Sequence, residues 1–465
     1  MIVNPVTRPI IAFTFAGIWV LSCALARPSQ AQPAAAAGAA RPTNIILILS
    51  DDMGAGDLGC YGGTHTPTPQ IDRLAREGTR FTRFYVAAPI CSPSRAGIIS
   101  GMFPSRLRIT SYLQTRAANR GCEQADFLDP KAPALPRLLK TAGYATAHFG
   151  KWHLGGGRDV VDAPKFAAYG YDEHAGTYES PDPDPDITAT NWIWSPKDKV
   201  KRWERTRFFV DKTLDFVARN RKLGKPCFVN LWPDDVHTPW VPGLDAPKGD
   251  TLKNLRGVLS EYDTQIGRLM DGLRAMGADA DTLVIFASDN GALPTLKGAR
   301  SAGYRGSKLS LFEGGIRMPF IVRWPGHVPA ERTDDTNVIA AVDLLPTFCA
   351  LTGASIPADV KAQLDGQDVS AALLGQGKIE RKGPLFWEYG RNDKFFSYPG
   401  DPNNRSPNVA VLEGRWKLLV NADGTQAQLY DVWADPSEGI NRATEHADVT
   451  QRLTERALAW RKSLP

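Results

Sequence analysis

At 465 residues, with 43% hydrophobic side chains, 42 glycines and 35 prolines, the chain can bury a large core and join many short elements through tight loops. One large domain plus a small one is the expected layout. The formal net charge of +5 comes from 55 basic and 50 acidic residues without a long single-sign run, which excludes a nucleic-acid footprint but leaves room for a local anion site.

The N-terminus carries Arg8, an apolar run over 10–21, and small and polar residues ending in Ser29-Gln30-Ala31, the layout of a signal peptide over 1–31. Inside it, Val20-Leu21-Ser22-Cys23 loosely resembles a bacterial lipoprotein box, which would make Cys23 a lipidated anchor. Leu21 is not the usual residue there, so the reading adopted is simple export, periplasmic or secreted. The apolar run is short for a membrane span and no later stretch is long enough, so no transmembrane span is expected in the mature chain.

An Ala/Gly/Pro linker over 32–42 precedes a continuous apolar run at 44–50 (NIILILS), the pattern of a central parallel strand, which stops at Asp51-Asp52. A helical pattern over 68–77 starts near Pro69 and closes at Gly78. Similar strands at 144–149, 227–231 and 282–288 lead to Lys151 and His153, to Asp235 and His237, and to Asp289-Asn290. Helical stretches at 135–141, 207–220 and 259–276 lie between them. Such alternation predicts a large, mainly parallel sheet sandwiched by helices, with a ligand crevice beyond the carboxyl ends of its strands. After 380 the texture changes to short strands at 384–389, 408–412, 416–420 and 428–432, then a helix at 449–462. A catalytic domain over 43–380 and a smaller C-terminal antiparallel sheet plus helix over 381–465 are therefore expected.

Cys91-Ser92-Pro93-Ser94-Arg95, with Gly101 six residues later, resembles the signature of the type I, formylglycine-dependent sulfatases of the alkaline phosphatase superfamily. Further blocks match in order: Asp51-Asp52, then Lys151-Trp152-His153, then His237-Thr238-Pro239, then Asp289-Asn290-Gly291. Arg305 to Lys308 with Glu313 to Arg317 follow, and 429–436 resembles the family's small C-terminal domain. The resemblance implies an alkaline phosphatase-like fold and a maturation enzyme that oxidises Cys91 to 3-oxoalanine (formylglycine), which hydrates to a gem-diol beside the metal. Asp51, Asp52, Asp289 and Asn290 form a hard oxygen set suited to Ca2+, the family's usual ion, or Mg2+. Residue 91 at a helix N-terminus, with Arg95, Lys151 and Lys308, would hold sulfate and spread transition-state charge. By the same resemblance one hydroxyl of residue 91 attacks sulfur while the alcohol takes a proton from His237 or Lys308. His153 then helps deprotonate the second hydroxyl, which expels sulfate.

The family's further polar sulfate contact has no match that can be placed in 170–185. His65, His148, His174, His327 and His446 lie outside the matching blocks and read as structural. Trp192 and Trp194 read first as packing, with stacking on sugar rings as the alternative. Cys60, Cys122, Cys227 and Cys349 either pair, in one of three connectivities, or stay as buried thiols. The substrate expected is a sulfated small molecule or saccharide, most readily a carbohydrate in view of export, with the loops 114–129 and 178–202 choosing it. A phosphonate or phosphate ester hydrolase of the same superfamily, or a catalytically silent exported binding protein, are the competing readings.

Overall fold

The computed structural model describes Met1 and residues 41–157, 159–187 and 195–465. The signal-peptide reading, Cys23, Trp192 and Trp194 therefore lie outside the described residues, as do 32–40 of the linker. Nine strands build the large sheet: β1 (Asn44–Ser50), β2 (Thr79–Tyr85), β3 (Ala145–Gly150), β4 (Glu173–Gly176), β5 (Cys227–Trp232), β6 (Thr282–Ser288), β7 (Arg317–Arg323), β8 (Arg332–Asp334) and β9 (Ile339–Ala340). Their order is β4-β3-β5-β1-β6-β7-β2-β8, with β9 also on β2. Every pairing is parallel except the two made by β7, which runs against β6 and β2. The mainly parallel, helix-covered sheet expected from the sequence is the architecture found.

β1 explains why. All seven of its residues are buried, because β5 and β6 flank it and a separate apolar cluster packs on each of its faces. Ile45, Leu47 and Leu49 enter one cluster, and Ile46 and Ile48 the other. A strand wet on one face would have alternated. The helices lie close to the predicted positions, at Pro69–Arg76, Leu135–Thr141, Arg205–Lys222 and Leu252–Ala275. The last begins seven residues earlier than its periodicity suggested. There the Thr251 hydroxyl accepts from the Asn254 amide, and Gly257 allows close packing on Pro242.

The small sheet is antiparallel, in the order β10 (Leu385–Glu388), β11 (Val409–Glu413), β12 (Trp416–Val420), β13 (Gln428–Asp431), and the helix Ala447–Lys462 packs on it. Arg41–Pro465 forms one compact unit. The two sheets meet through the Trp387 indole N–H, which donates to the Val86 carbonyl at 2.7 Å, and through Lys417 on Glu313 at 2.8 Å. None of the described cysteines is paired, so the disulfide alternatives fall away: Cys122, Cys227 and Cys349 are buried thiols and Cys60 is half-buried. Among the described residues no helix is long and apolar enough to cross a membrane.

Candidate active site

Strand register brings the predicted residues together. β1 and β6 run parallel with Ser50 beside Ser288, so Asp51-Asp52 and Asp289-Asn290 leave the sheet side by side. Next to them β3 and β5 end at the paired Gly150 and Trp232, and Lys151 continues the ladder by donating its amide to the Trp232 carbonyl at 2.8 Å. The helix Cys91–Ser100 begins with the signature itself. Its first residue, 3% exposed, lies in a cavity of about 670 Å³ with Lys151, His153, His237 and Lys308. The helix N-terminus favours an anion there.

The buried charges interlock. Arg95 donates twice to Asp289 Oδ2, from Nε at 3.0 Å and Nη2 at 2.7 Å, and once to the Lys151 carbonyl at 2.7 Å. Lys151 Nζ reaches Asp51 Oδ2 at 2.7 Å, and Lys308 Nζ reaches Asp52 at 2.7 Å. Asn290 spends its amide hydrogens on Asp52 Oδ1 and the Gly291 carbonyl. Burial works against charge on Asp51, but Lys151, His237 and Arg95 hold its carboxyl well below the usual range. Asp289 goes the other way, since burial beside Asp51 and Asp52 outweighs Arg95 and pushes it up to about 7.

A divalent ion fits this donor set. Two buried oxygens, Asp51 Oδ1 and Asn290 Oδ1, have no hydrogen-bond partner, although buried polar atoms almost always find one. Asp51, Asp52 and His237 each offer a ligand atom within 4.8 Å of one another. The oxygens, three carboxylate groups and an amide, suit a hard cation. Arg95, Lys151 and Lys308 pair with Asp289, Asp51 and Asp52 one for one, so a bound ion would supply the positive excess that an anionic ester needs.

The two histidines are oriented differently. His237 Nδ1 lies 2.6 Å from the Thr238 carbonyl, which fixes its proton there and leaves Nε2 to accept from Lys308 Nζ at 3.3 Å. Burial lowers its pKa, against the pull of Asp52. Asp52, by contrast, keeps Lys308 charged despite its burial. His153 Nε2 meets the Leu113 carbonyl at 3.1 Å, while Nδ1 is buried with no partner. Burial and the adjacent Lys151 lower it to about 4, so it is a neutral imidazole with a bare lone pair at neutral pH. Asp52, His153 and Leu309, next to Lys308, all hold a positive φ (58°, 52° and 73°), the backbone strain that collects at functional sites.

The family scan and two searches identify the chain. The family model "Sulfatase" matches residues 43–354, more than half of it, and the model "N-sulphoglucosamine sulphohydrolase, C-terminal" matches 306–463. The chain belongs to the sulfatase family. It is thus an enzyme of the type I, formylglycine-dependent group in the alkaline phosphatase superfamily. The N-acetylgalactosamine-6-sulfatase of Sus scrofa is 34% identical to this sulfatase over 376 residues, covering 76% of this chain and 70% of that one. Arylsulfatase A of Homo sapiens is 30% identical over 433 residues, covering 87% and 79%. The solved structure of Ps i-CgsB in complex with k-i-k-neocarrahexaose superposes with a TM-score of 0.74 at 26% identity, covering 90% and 92%.

All ten residues singled out in the sequence of this sulfatase lie in this one site. Gln114, Tyr178 and Glu179 line the same cavity from the loops 114–129 and 178–202 expected to choose the substrate, whereas Tyr112, Asp159 and Ser397, which also line it, were not singled out in the sequence. Glu179 belongs to the stretch in which no polar contact could be placed. β4 pairs with β3 at Gly176 and Gly150, and the Glu179 carbonyl accepts the His153 amide at 3.1 Å, which brings the segment in. Ser397 comes from the C-terminal part of the chain, and no local sequence signal marks it.

Proposed function

We propose that this sulfatase is exported and hydrolyses a sulfate ester of a carbohydrate, using a formylglycine made from Cys91 and a divalent ion, most suitably Ca2+. The observation that carries the reading is the position of Cys91, at a helix N-terminus and in one cavity with two lysines and two histidines beside a buried oxygen cluster. Support for a sugar comes from that cavity's size, since about 670 Å³ exceeds what an inorganic anion needs. It comes also from the relatives, one named for N-acetylgalactosamine 6-sulfate chemistry and one solved with an oligosaccharide. Export rests on the N-terminal pattern of residues 1–31.

Oxidised and hydrated, residue 91 would supply the oxygen nucleophile, and Asp51, Asp52, Asp289 and Asn290 would hold an ion that supplies positive charge to the anionic ester. This chain's own side chains do the rest. Arg95 orients Asp289 through its paired donation and ties the helix to the Lys151 carbonyl. Lys151 and Lys308 offer ammonium groups to the sulfate oxygens. Lys308, held charged by Asp52 and aimed by His237, carries the proton for the departing alcohol. His153 accepts a proton at Nδ1.

The discriminating experiment measures inorganic sulfate and phosphate released from matched sulfate, phosphate and phosphonate esters, with sulfated sugars and aryl sulfates as alcohols. Sulfate release with kcat/KM at least ~10²-fold above the phosphorus esters is expected of a sulfatase. A preference for phosphorus esters would overturn the proposal.

A further inference from the structure

The cavity over Cys91 is lined by charges of both signs. Near residue 91 its lining is cationic, and among the described lining residues the lysines are Lys151 and Lys308, both paired with the buried carboxylates. The lining also holds two carboxylates, of which Glu179, against its burial, is held ionised by Lys151 and His153. Asp159 and Glu179 border the cavity, and both also border a narrow recess with Gln114, Asp126 and His153.

Asp159 differs from the other carboxylates around it. Glu179 accepts from the Thr177 hydroxyl at 3.0 Å, and Asp126 from Asn119 at 3.1 Å. Among the described residues no donor reaches the half-buried Asp159 carboxylate. The glycines that lead to it are anchored. Gly155, Gly156 and Gly157 have φ of 105°, 126° and 66°, and the Gly157 amide donates to the Ser180 carbonyl at 2.6 Å. A Cβ would lie 2.2 Å from Pro181 N at Gly156 and 2.2 Å from the Tyr178 carbonyl at Gly157. The triple glycine thus lets the loop carrying Asp159 press backbone to backbone on the segment carrying Glu179.

A carboxylate that borders a ring-sized cavity and meets no donor among the described residues accepts hydrogen bonds from hydroxyl or amide N–H groups of a ligand and repels another carboxylate. We infer that Asp159 is a specificity-determining residue that selects sulfated sugars whose ring is neutral and rich in donors, and excludes sulfated uronic acids. The inference rests on the carbohydrate reading above and names which carbohydrates.

The test uses position-matched pairs, galactose and galacturonate monosulfated in turn at positions 2, 3 and 4, which differ only in a hydroxymethyl against a carboxylate. Each is read as a substrate, or as a competitive inhibitor of aryl sulfate hydrolysis, with the mature wild-type enzyme and with Asp159→Asn and Asp159→Lys. Wild type should favour the neutral member by about 10- to 100-fold, the worth of one charge-assisted hydrogen bond. Asp159→Asn should shrink the preference to within about 3-fold, and Asp159→Lys should turn it toward the uronate. Thermal midpoints of the variants establish that they are folded. Equal use of both members by wild type, or an unchanged preference in both folded variants, overturns the role of Asp159. Aryl sulfate hydrolysis without binding of any sugar sulfate overturns the carbohydrate reading itself, a distinguishable result.

Discussion

Removing His237 should slow this sulfatase in proportion to how badly its leaving alcohol needs a proton. A sugar alkoxide departs poorly unless protonated, whereas a nitrophenolate departs unaided, and general acid catalysis is worth ~10² to 10⁴ in rate. The geometry sets where each variant falls in that range. Lys308 Nζ is held both by His237 Nε2 at 3.3 Å and by Asp52 at 2.7 Å, so His237→Ala leaves the proton source anchored but poorly aimed. We expect a loss of ~10² on sugar sulfates and little on nitrophenyl sulfates. Lys308→Ala deletes the proton, a sulfate-binding cation and the partner of a buried carboxylate together. Its expected losses are ~10⁴ on sugar sulfates and ~10² on nitrophenyl sulfates, with ~3–5 kcal/mol of stability. Because the two act as a unit, the double variant should be no slower on sugars than Lys308→Ala. The assay is kcat/KM across aryl sulfates of graded leaving-group acidity plus a sugar sulfate. Equal losses for His237→Ala on all of them would refute proton donation by this pair.

Asp289→Asn keeps the shape of its side chain but removes one charge from the oxygen cluster, so metal content per chain should fall and the rise in Tm on adding Ca2+ should disappear. Cys91→Ser should fold with a wild-type Tm and show no multiple turnover, because serine has no second hydroxyl on its β carbon. Glu438 is buried with Lys417 at 3.0 Å and its oxygen accepts the Glu313 amide at 2.6 Å; burial, with the Glu313 carboxylate, pushes it from 4.5 to about 7. A carboxyl raised in the folded state binds protons that the unfolded chain has released, so stability should fall as pH rises from 4.5 to 7, by about 3 kcal/mol in total. Tm measured across that range should decline in wild type, and the Glu438→Gln variant should lose that part of the slope.

What the sequence made legible follows from how locally each feature is encoded. β1 and β6 read clearly because both faces of each are buried and the run is unbroken. Their parallel register then converts two acidic pairs far apart in the chain into one cluster. β2 and β7 did not read as strands, since arginines interrupt them. Arg80, Arg317 and Arg323 find partners in the fold, as in the pairing of Arg323 with Glu77 and Asp279, which no window of sequence reveals. The signature residues were legible because their chemistry is tied to fixed spacing. Asp159 was not, since a glycine-permitted contact between two loops brings it to the cavity, while Glu179 was legible only as part of the loop 178–202. Ser397 enters the cavity from the C-terminal part of the chain, a tertiary fact with no local trace.

The central claim is that residue 91 of the working enzyme is an aldehyde. The most direct measurement is peptide mass spectrometry across Cys91 on protein produced with and without a formylglycine-generating enzyme, paired with sulfate release by the same samples. The account predicts the lighter aldehyde form, with activity that rises in proportion to its fraction. Full activity in protein whose residue 91 is entirely unmodified cysteine would contradict it.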